Sequence, residues 1–400
     1  MAQDQVATQF GSHYLDNAAT TPMDPEVIDA MAQAMRDCFG NPSSLHPPGV
    51  AAHRMLERAR LLLSGMLGAR SLVFTGGGTE ASNLAIRGIT RKDAGKKDAG
   101  RILFGRADHP ATTATITDLA TDGFTPVALP VHASGQLDLE ALEQELRQEA
   151  AAPVRLISLL YGHNELGTLS DIEGAIALVR EHAPRAHVHV DIVQAFAKAP
   201  FDLDRMGADS ATIAAHKIHG PKGLGALALG AKAHPKAFVT GGGQESGLRS
   251  GTENVPGAHA FARAAELWVS RMDEESGRIR RMRDDCESRL RSAIPQLRVL
   301  GDPERRLPHL LPITLPGLVG EVLLHHLDEH GIYVSTGSAC SQHDKKKSGE
   351  EFGLEAIGVP GEELRGMLRI SFGRLNQEQD VDAICRALPE IVQSLQPLRP

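Results

Sequence analysis

Between residues 72 and 229, short apolar runs alternate with segments of helical spacing, and this alternation constrains the fold more than any other feature of the chain. Runs at 72–75, 102–104, 127–131, 156–160, 187–191, 210–215 and 226–229 read as strands. Helical patterns fall between them, one ending near Gly88 and others at 114–120, 139–150 and 172–181. Such alternation predicts an α/β fold around a mostly parallel central sheet flanked by helices. Upstream, 25–37 and 53–65 read as helices, the first with Asp24 as N-cap and Pro25 in its first turn. Downstream the rhythm changes. Residues 256–293 are helical in at most two pieces, 313–315 and 367–372 read as strands, and 319–331 and 380–395 as helices. The expected organisation is a large unit at 21–260 and a smaller α+β unit at 261–400, with residues 1–20 packing against the smaller one.

Open α/β sheets bind ligands at the carboxyl ends of their strands, and several such ends carry reactive groups here. Lys217 follows the 210–215 run inside Ala214-Ala215-His216-Lys217-Ile218-His219-Gly220-Pro221-Lys222-Gly223. A lysine at the mouth of a core is costly unless it is paired or used covalently. Desolvation lowers its pKa and makes it a nucleophilic amine able to form a Schiff base. A loop lysine beside a strand would give the same pattern, so the rest of the chain has to decide. Gly76-Gly77-Gly78-Thr79 joins a strand to a helix, where free backbone N–H groups and the helix dipole suit an anion. No Gly-Lys-Ser/Thr follows it and no Gly-x-Gly-x-x-Gly is present, so it is neither a Walker loop nor a dinucleotide fingerprint. His187, His189 and Asp191 alternate onto one strand face. Their spacing also suits a zinc pair, but Ile192 stands where many such motifs place another histidine.

Composition removes other classes. The formal net charge of −8 offers no footprint for nucleic acid or an anionic membrane surface. No apolar run reaches the ~18 residues of a spanning helix, and residues 1–11 are polar without a signal-peptide core. Cys38, Cys286, Cys340 and Cys385 are scattered, with no Cys-x-x-Cys, which predicts a cytoplasmic protein with reduced thiols.

The motifs taken together resemble the NifS/IscS-type cysteine desulfurases of the class V aminotransferase branch of pyridoxal phosphate enzymes. The resemblance rests on Tyr14-Leu15-Asp16-Asn17-Ala18-Ala19-Thr20-Thr21, Gly40-Asn41-Pro42-Ser43-Ser44, Phe74-Thr75-Gly76-Gly77-Gly78-Thr79-Glu80 and Asn164-Glu165. It continues through His189-Val190-Asp191 with Gln194, His216-Lys217, Arg249-Ser250-Gly251-Thr252-Glu253-Asn254, Gly337-Ser338-Ala339-Cys340 and Ser371-Phe372-Gly373-Arg374. It implies the fold type I of pyridoxal phosphate enzymes. It further implies that Lys217 holds the cofactor covalently and later moves the substrate Cα proton. Asp191 would pair with the pyridine nitrogen, Gln194 would bond the phenolic oxygen, and His109 would stack on the ring. Gly78, Thr79 and His216 would bind the phosphate, and Thr252 would reach the phosphate of a neighbouring subunit, which implies a homodimer with shared sites. Asn164 and Arg374 would hold the substrate carboxylate, the arginine by a bidentate pair. Cys340 would be the thiolate that takes sulfur from L-cysteine, leaving L-alanine and a persulfide for an acceptor protein such as an iron–sulfur scaffold, or for tRNA thiolation.

Two positions depart from the family pattern. Ala214 stands where the family usually has serine, which removes one hydroxyl from the phosphate site. The stretch after Cys340, Ser341-Gln342-His343-Asp344-Lys345-Lys346-Lys347, is longer and more charged than usual and leaves open the sulfur acceptor and the choice of chalcogen. Three rivals remain on sequence grounds: a selenocysteine lyase or other class V enzyme, a zinc hydrolase using His187 and His189, and a nucleotide-binding dehydrogenase.

Overall fold

The apolar runs assemble into one seven-stranded sheet in the order Ser71–Thr75, Gly225–Leu229, Ser210–Ala214, His187–Asp191, Val154–Leu160, Gly100–Gly105, Phe124–Leu129. The structure is a computed structural model and describes residues 13–96, 99–148, 152–336 and 353–395. Every pairing in the sheet is parallel except those of Gly225–Leu229, which runs antiparallel to both its neighbours. The strands His187–Asp191, Ser210–Ala214 and Gly225–Leu229 are buried at every residue. Burial on both faces is what continuous apolar runs under flanking helices produce.

Two helices begin earlier than their apolar periodicity predicts, for the same reason. The helix expected at 53 starts at Pro47, and the one expected at 114 starts at Pro110. Proline breaks a helix interior but fits its first turn, where its missing N–H is no loss. Each of these starts is capped by a histidine: His46 Nδ1 accepts from the Gly49 amide and His109 Nδ1 from the Ala111 amide. The Pro25–Asp37 helix starts as the sequence predicts, with Asp24 accepting from the Glu26 amide.

The Val255–Val269 helix packs on Pro25–Asp37 and Pro47–Met66, and is continuous through residue 260. The chain breaks from helical geometry at Arg271, and the next helix, Met272–Ala293, packs instead against Glu378–Leu395. A three-stranded antiparallel sheet, ordered Met367–Ser371, Leu310–Thr314, Arg298–Val299, completes this part. His13–Tyr14 pairs with Ile332–Tyr333, and the Asn17 side chain donates to the Ser371 carbonyl at 2.9 Å. The chain then crosses to the loop holding Lys217, where the Thr21 amide donates to the His216 carbonyl and the Asp24 amide to the His219 carbonyl. Residues 13–24 therefore tie the C-terminal sheet to the carboxyl end of the central one.

Candidate active site

Asp191 ends its strand and Lys217 lies three residues beyond the end of the adjacent parallel strand, so the topology brings both to one edge of the sheet. Asp191 is buried, and burial pushes its carboxyl pKa up. Three groups oppose that push and favour the carboxylate: the His109 imidazole, the Val193 amide that donates to it at 3.0 Å, and the Lys217 amine. His109 feels the same field from the other side. Burial lowers its pKa, and Asp191 raises it. Because His109 Nδ1 accepts the Ala111 amide proton, the neutral ring carries its own proton on Nε2.

Lys217 Nζ donates to the carbonyls of Ala18 and Ala19, both at 2.7 Å. The Ala18 carbonyl also accepts from Gln194 Nε2 at 2.8 Å, so one backbone oxygen fixes both side chains. Gln194 Oε1 faces His309 Nε2 at 3.4 Å. The loop after Lys217 is strained: His219 adopts φ +62, a left-handed conformation costly for a residue with a side chain. Its ring is held by the Pro22 carbonyl at 2.8 Å and stacks on the buried Trp268 at 6.1 Å, which keeps the loop in that shape.

A cleft of about 740 Å³ opens beside this floor, lined among others by Thr20, Gly78, Thr79, His216 and Lys222. Gly78 starts the Gly78–Thr90 helix, which carries no side-chain cap, so its first amides face the cleft without an internal acceptor. The glycines are required by close approach. A Cβ on Gly225 would sit 2.4 Å from the Gly77 carbonyl carbon, and one on Gly78 would sit 3.1 Å from a Val193 methyl. His216 Nδ1 lies 3.3 Å from Thr20 Oγ1, and burial with nearby lysines holds its pKa down at about 4. At neutral pH it is therefore an uncharged hydrogen-bonding ring, with the Lys222 side chain beside it in the cleft lining. Thr20 and Lys222 were not singled out from the sequence; the Gly-Pro-Lys-Gly turn holding Lys222 was the available signal.

Two arginines differ in where the fold puts them. Arg374 Nη1 is 3.1 Å from Asp24 Oδ2, with both side chains under a tenth exposed, and its amide donates to His219 Nε2. Arg369, on the Met367–Ser371 strand, sends Nη2 to Asp16 Oδ1 at 2.8 Å and Nη1 to the Asn164 carbonyl at 3.1 Å. Both guanidinium Nε atoms are buried without a partner. Only Arg369 stands beside Asn164, and its charge also acts on Glu165, whose carboxyl burial pushes up to about 7. The sequence motif ending in Arg374 drew attention five residues past the guanidinium that neighbours Asn164.

Thr252 is exposed and stands apart from the residues that line the cleft of its own chain. Its loop is pinned by Arg249 to Glu80 at 2.9 Å and by Glu245, which takes Arg60 at 2.6 Å and the Phe74 amide at 2.9 Å. Cys340 lies outside the described residues. The described chain stops before it at Thr336, beside Arg369: the Arg369 amide donates to the Ser335 carbonyl at 2.7 Å. It resumes at Gly353, whose amide donates to the Arg106 carbonyl.

The zinc reading of the 187–191 strand is overturned. His187 Nε2 and His189 Nδ1 both bond Ser210 Oγ, at 2.8 and 2.9 Å, and His189 Nε2 faces Thr212 Oγ1. No group of three or more metal-ligating side chains occurs among the described residues. Nor is any described helix long and apolar enough to cross a membrane.

Comparison with known proteins gives a consistent picture. The family model for aminotransferase class-V matches residues 13–384. A cysteine desulfurase of Trichormus azollae is 38% identical over 97% of this chain and 94% of its own length. Cysteine desulfurase IscS 1 of Archaeoglobus fulgidus is 36% identical over 97% of this chain and 98% of its own. Among solved structures, a NifS-like protein superposes with a TM-score of 0.87 at 32% identity, covering 96% of this chain and 100% of the other. A NifS-like protein from Rickettsia africae gives 0.84 at 30% identity, covering 95% of this chain and 99% of the other.

Proposed function

The chain belongs to the aminotransferase class-V family, and from that premise we infer that it is a cysteine desulfurase that uses pyridoxal phosphate. The balanced reaction is L-cysteine plus the thiol of Cys340 giving L-alanine plus the Cys340 persulfide. The observation that carries this reading is the grouping of one amine, one carboxyl and one imidazole: Lys217, the buried Asp191 and the half-buried His109 act on each other's charge at the carboxyl edge of the sheet.

The residues fit the cofactor's chemistry. The uncapped Gly78 helix start, Thr79, His216 and Lys222 would receive its phosphate. Asp191 would hold the pyridine nitrogen's proton, His109 would cover the ring, Gln194 would bond its phenolic oxygen, and Lys217 would be the attachment amine. When bound there, pyridoxal phosphate supplies an electron sink that makes the substrate Cα–H acidic.

The chain's own groups do the rest. Lys217 Nζ, anchored over the Ala18 and Ala19 carbonyls, moves the Cα proton and returns one at the carbon that loses sulfur. Asn164 and Arg369 receive the substrate carboxylate, in preference to Arg374, which Asp24 already engages. Cys340 attacks the substrate sulfur as a thiolate; the new S–S bond forms as the C–S bond breaks. Thr252, exposed and outside its own cleft, would complete the phosphate site of a second copy. The persulfide would pass to an acceptor protein of an iron–sulfur or thiolation route.

Single-turnover incubation with sulfur-labelled L-cysteine tests the assignment. Alanine should form in equal amount to label on the peptide carrying Cys340, and Cys340→Ser should lose both. Undiminished alanine from that variant would remove Cys340 from the reaction.

A further inference from the structure

Outside the site, Cys286 and Cys385 meet across the seam between the Met272–Ala293 and Glu378–Leu395 helices. Their sulfurs are 4.0 Å apart, and Cys385 Sγ also lies 3.9 Å from the Cys286 carbonyl oxygen. Cys286 is fully buried, whereas Cys385 is half-buried and reachable from solvent. One turn along the seam, Arg289 bonds Asp382 at 2.8 Å and Asp285 at 3.2 Å. That ion pair stands three residues from each thiol.

The two thiols are unequal. The hydrogen bond shared with Cys286 and the nearby Arg289 lower the Cys385 pKa, against burial, Asp285 and Asp382. Cys286, sharing that proton and sealed from water, is pushed well up and stays a thiol. A solvent-reachable sulfur with a lowered pKa, 4.0 Å from a buried one with a raised pKa, is the arrangement of an attacking and a resolving cysteine.

We propose that Cys286 and Cys385 form an oxidisable dithiol, a modification site separate from the Lys217 centre, which a peroxide converts to an intrachain disulfide joining the two helices. The Cys385 thiolate attacks one peroxide oxygen and the O–O bond breaks, giving a sulfenic acid and hydroxide. The Cys286 sulfur then attacks the sulfenic sulfur, the S–S bond forms, and the departing OH leaves as water with the Cys286 proton. In sum, two thiols and one hydrogen peroxide give one disulfide and two waters: the sulfurs lose two electrons and the peroxide gains them. The sulfurs must close from 4.0 Å to ~2.0 Å for the bond to form.

The test is peptide mapping of the full-length protein after graded hydrogen peroxide, read by mass spectrometry with and without a dithiol reductant. The expected product is one linked pair containing residues 286 and 385, lighter by two hydrogens, restored by reductant, and formed within single chains. In Cys286→Ser, Cys385 should instead accumulate a sulfenic acid that dimedone traps; in Cys385→Ser, Cys286 should remain an unmodified thiol. Over-oxidation of wild-type Cys385 to sulfinic acid while Cys286 stays free would overturn the proposal, as would a link between two chains.

Discussion

The floor and the rim of this site handle charge by different means. On the floor, Asp191 is buried and His109 half-buried, and each has a pKa moved by desolvation and corrected by the other. On the rim, Thr79 and Lys222 are exposed, and the Gly78 helix start offers amides to solvent. The floor has its protonation states fixed by the protein before any ligand arrives, at the cost of desolvation. The rim leaves its donors hydrated, where they can exchange water for an anion at little cost. Changes to the floor should therefore alter the chemical step, and changes to the rim should alter affinity.

The largest test is Lys217→Ala. Removing the group that moves the proton should lower alanine formation by roughly 10³–10⁴-fold in a steady-state assay, while far-ultraviolet circular dichroism stays that of the wild type. Activity within tenfold of wild type would take the amine out of the reaction.

Acid stability reports on the buried histidines of the fold. His163, His187, His189 and His219 are buried with pKa values pushed down to between about 3 and 4. Below pH 6.5 the unfolded chain binds protons that the folded chain refuses, so the stability these groups confer at neutral pH is lost as pH falls from 6.5 towards 4. His187 alone accounts for about 3 kcal/mol of that loss. Glu165, raised to about 7, works the other way between pH 7 and 4.5, but it is opposed by four histidines. Urea midpoints should fall across this window; a flat profile would mean the histidines are not buried as described.

Asp191→Asn keeps the shape of the floor and removes its charge. The loss of a charge-assisted hydrogen bond, ~1.5–3 kcal/mol, should lower kcat by roughly 10–100-fold with KM little changed. An effect confined to KM would contradict the division between floor and rim. Arg369→Lys should raise KM for L-cysteine by about tenfold by losing the fork geometry, with a smaller change for Arg374→Lys. The reverse ranking would return the carboxylate to Arg374. The smallest effect belongs to the rim. The Ala214 methyl lies 3.6 Å from where a Gly78 Cβ would be, so Ala214→Ser adds a hydroxyl at the helix start. Pyridoxal phosphate should bind a few-fold more tightly by equilibrium dialysis; unchanged or weaker binding would place that side chain off the phosphate path.

Much of this arrangement was legible in the sequence because its signals are local. Strand runs show as continuous apolar segments; Asp191 ends one, Gly76–Gly78 follow one directly, and Lys217 lies three residues past another. What was hidden depends on contacts between distant segments. The Arg369 side chain's place beside Asn164 turns on how the Met367–Ser371 strand lies against Ser335 and Asp16, which spacing does not encode. The helix starts at Pro47 and Pro110 were missed because proline reads as a breaker unless its position in the turn is known. The shared use of the Ala18 carbonyl by Lys217 and Gln194 involves a backbone atom that carries no residue signal. The Cys286–Cys385 contact joins helices 99 residues apart in sequence.

The central claim is that one amine among several forms the covalent bond to the cofactor. Lys198 is a real competitor, because burial lowers its pKa to about 7, and Lys222 lines the cleft itself. Loading the protein with pyridoxal phosphate, reducing with borohydride and mapping the pyridoxyl group by peptide mass spectrometry distinguishes the three. The account predicts the label on Lys217 alone; a label on Lys198 or Lys222, with Lys217 unmodified, would contradict it.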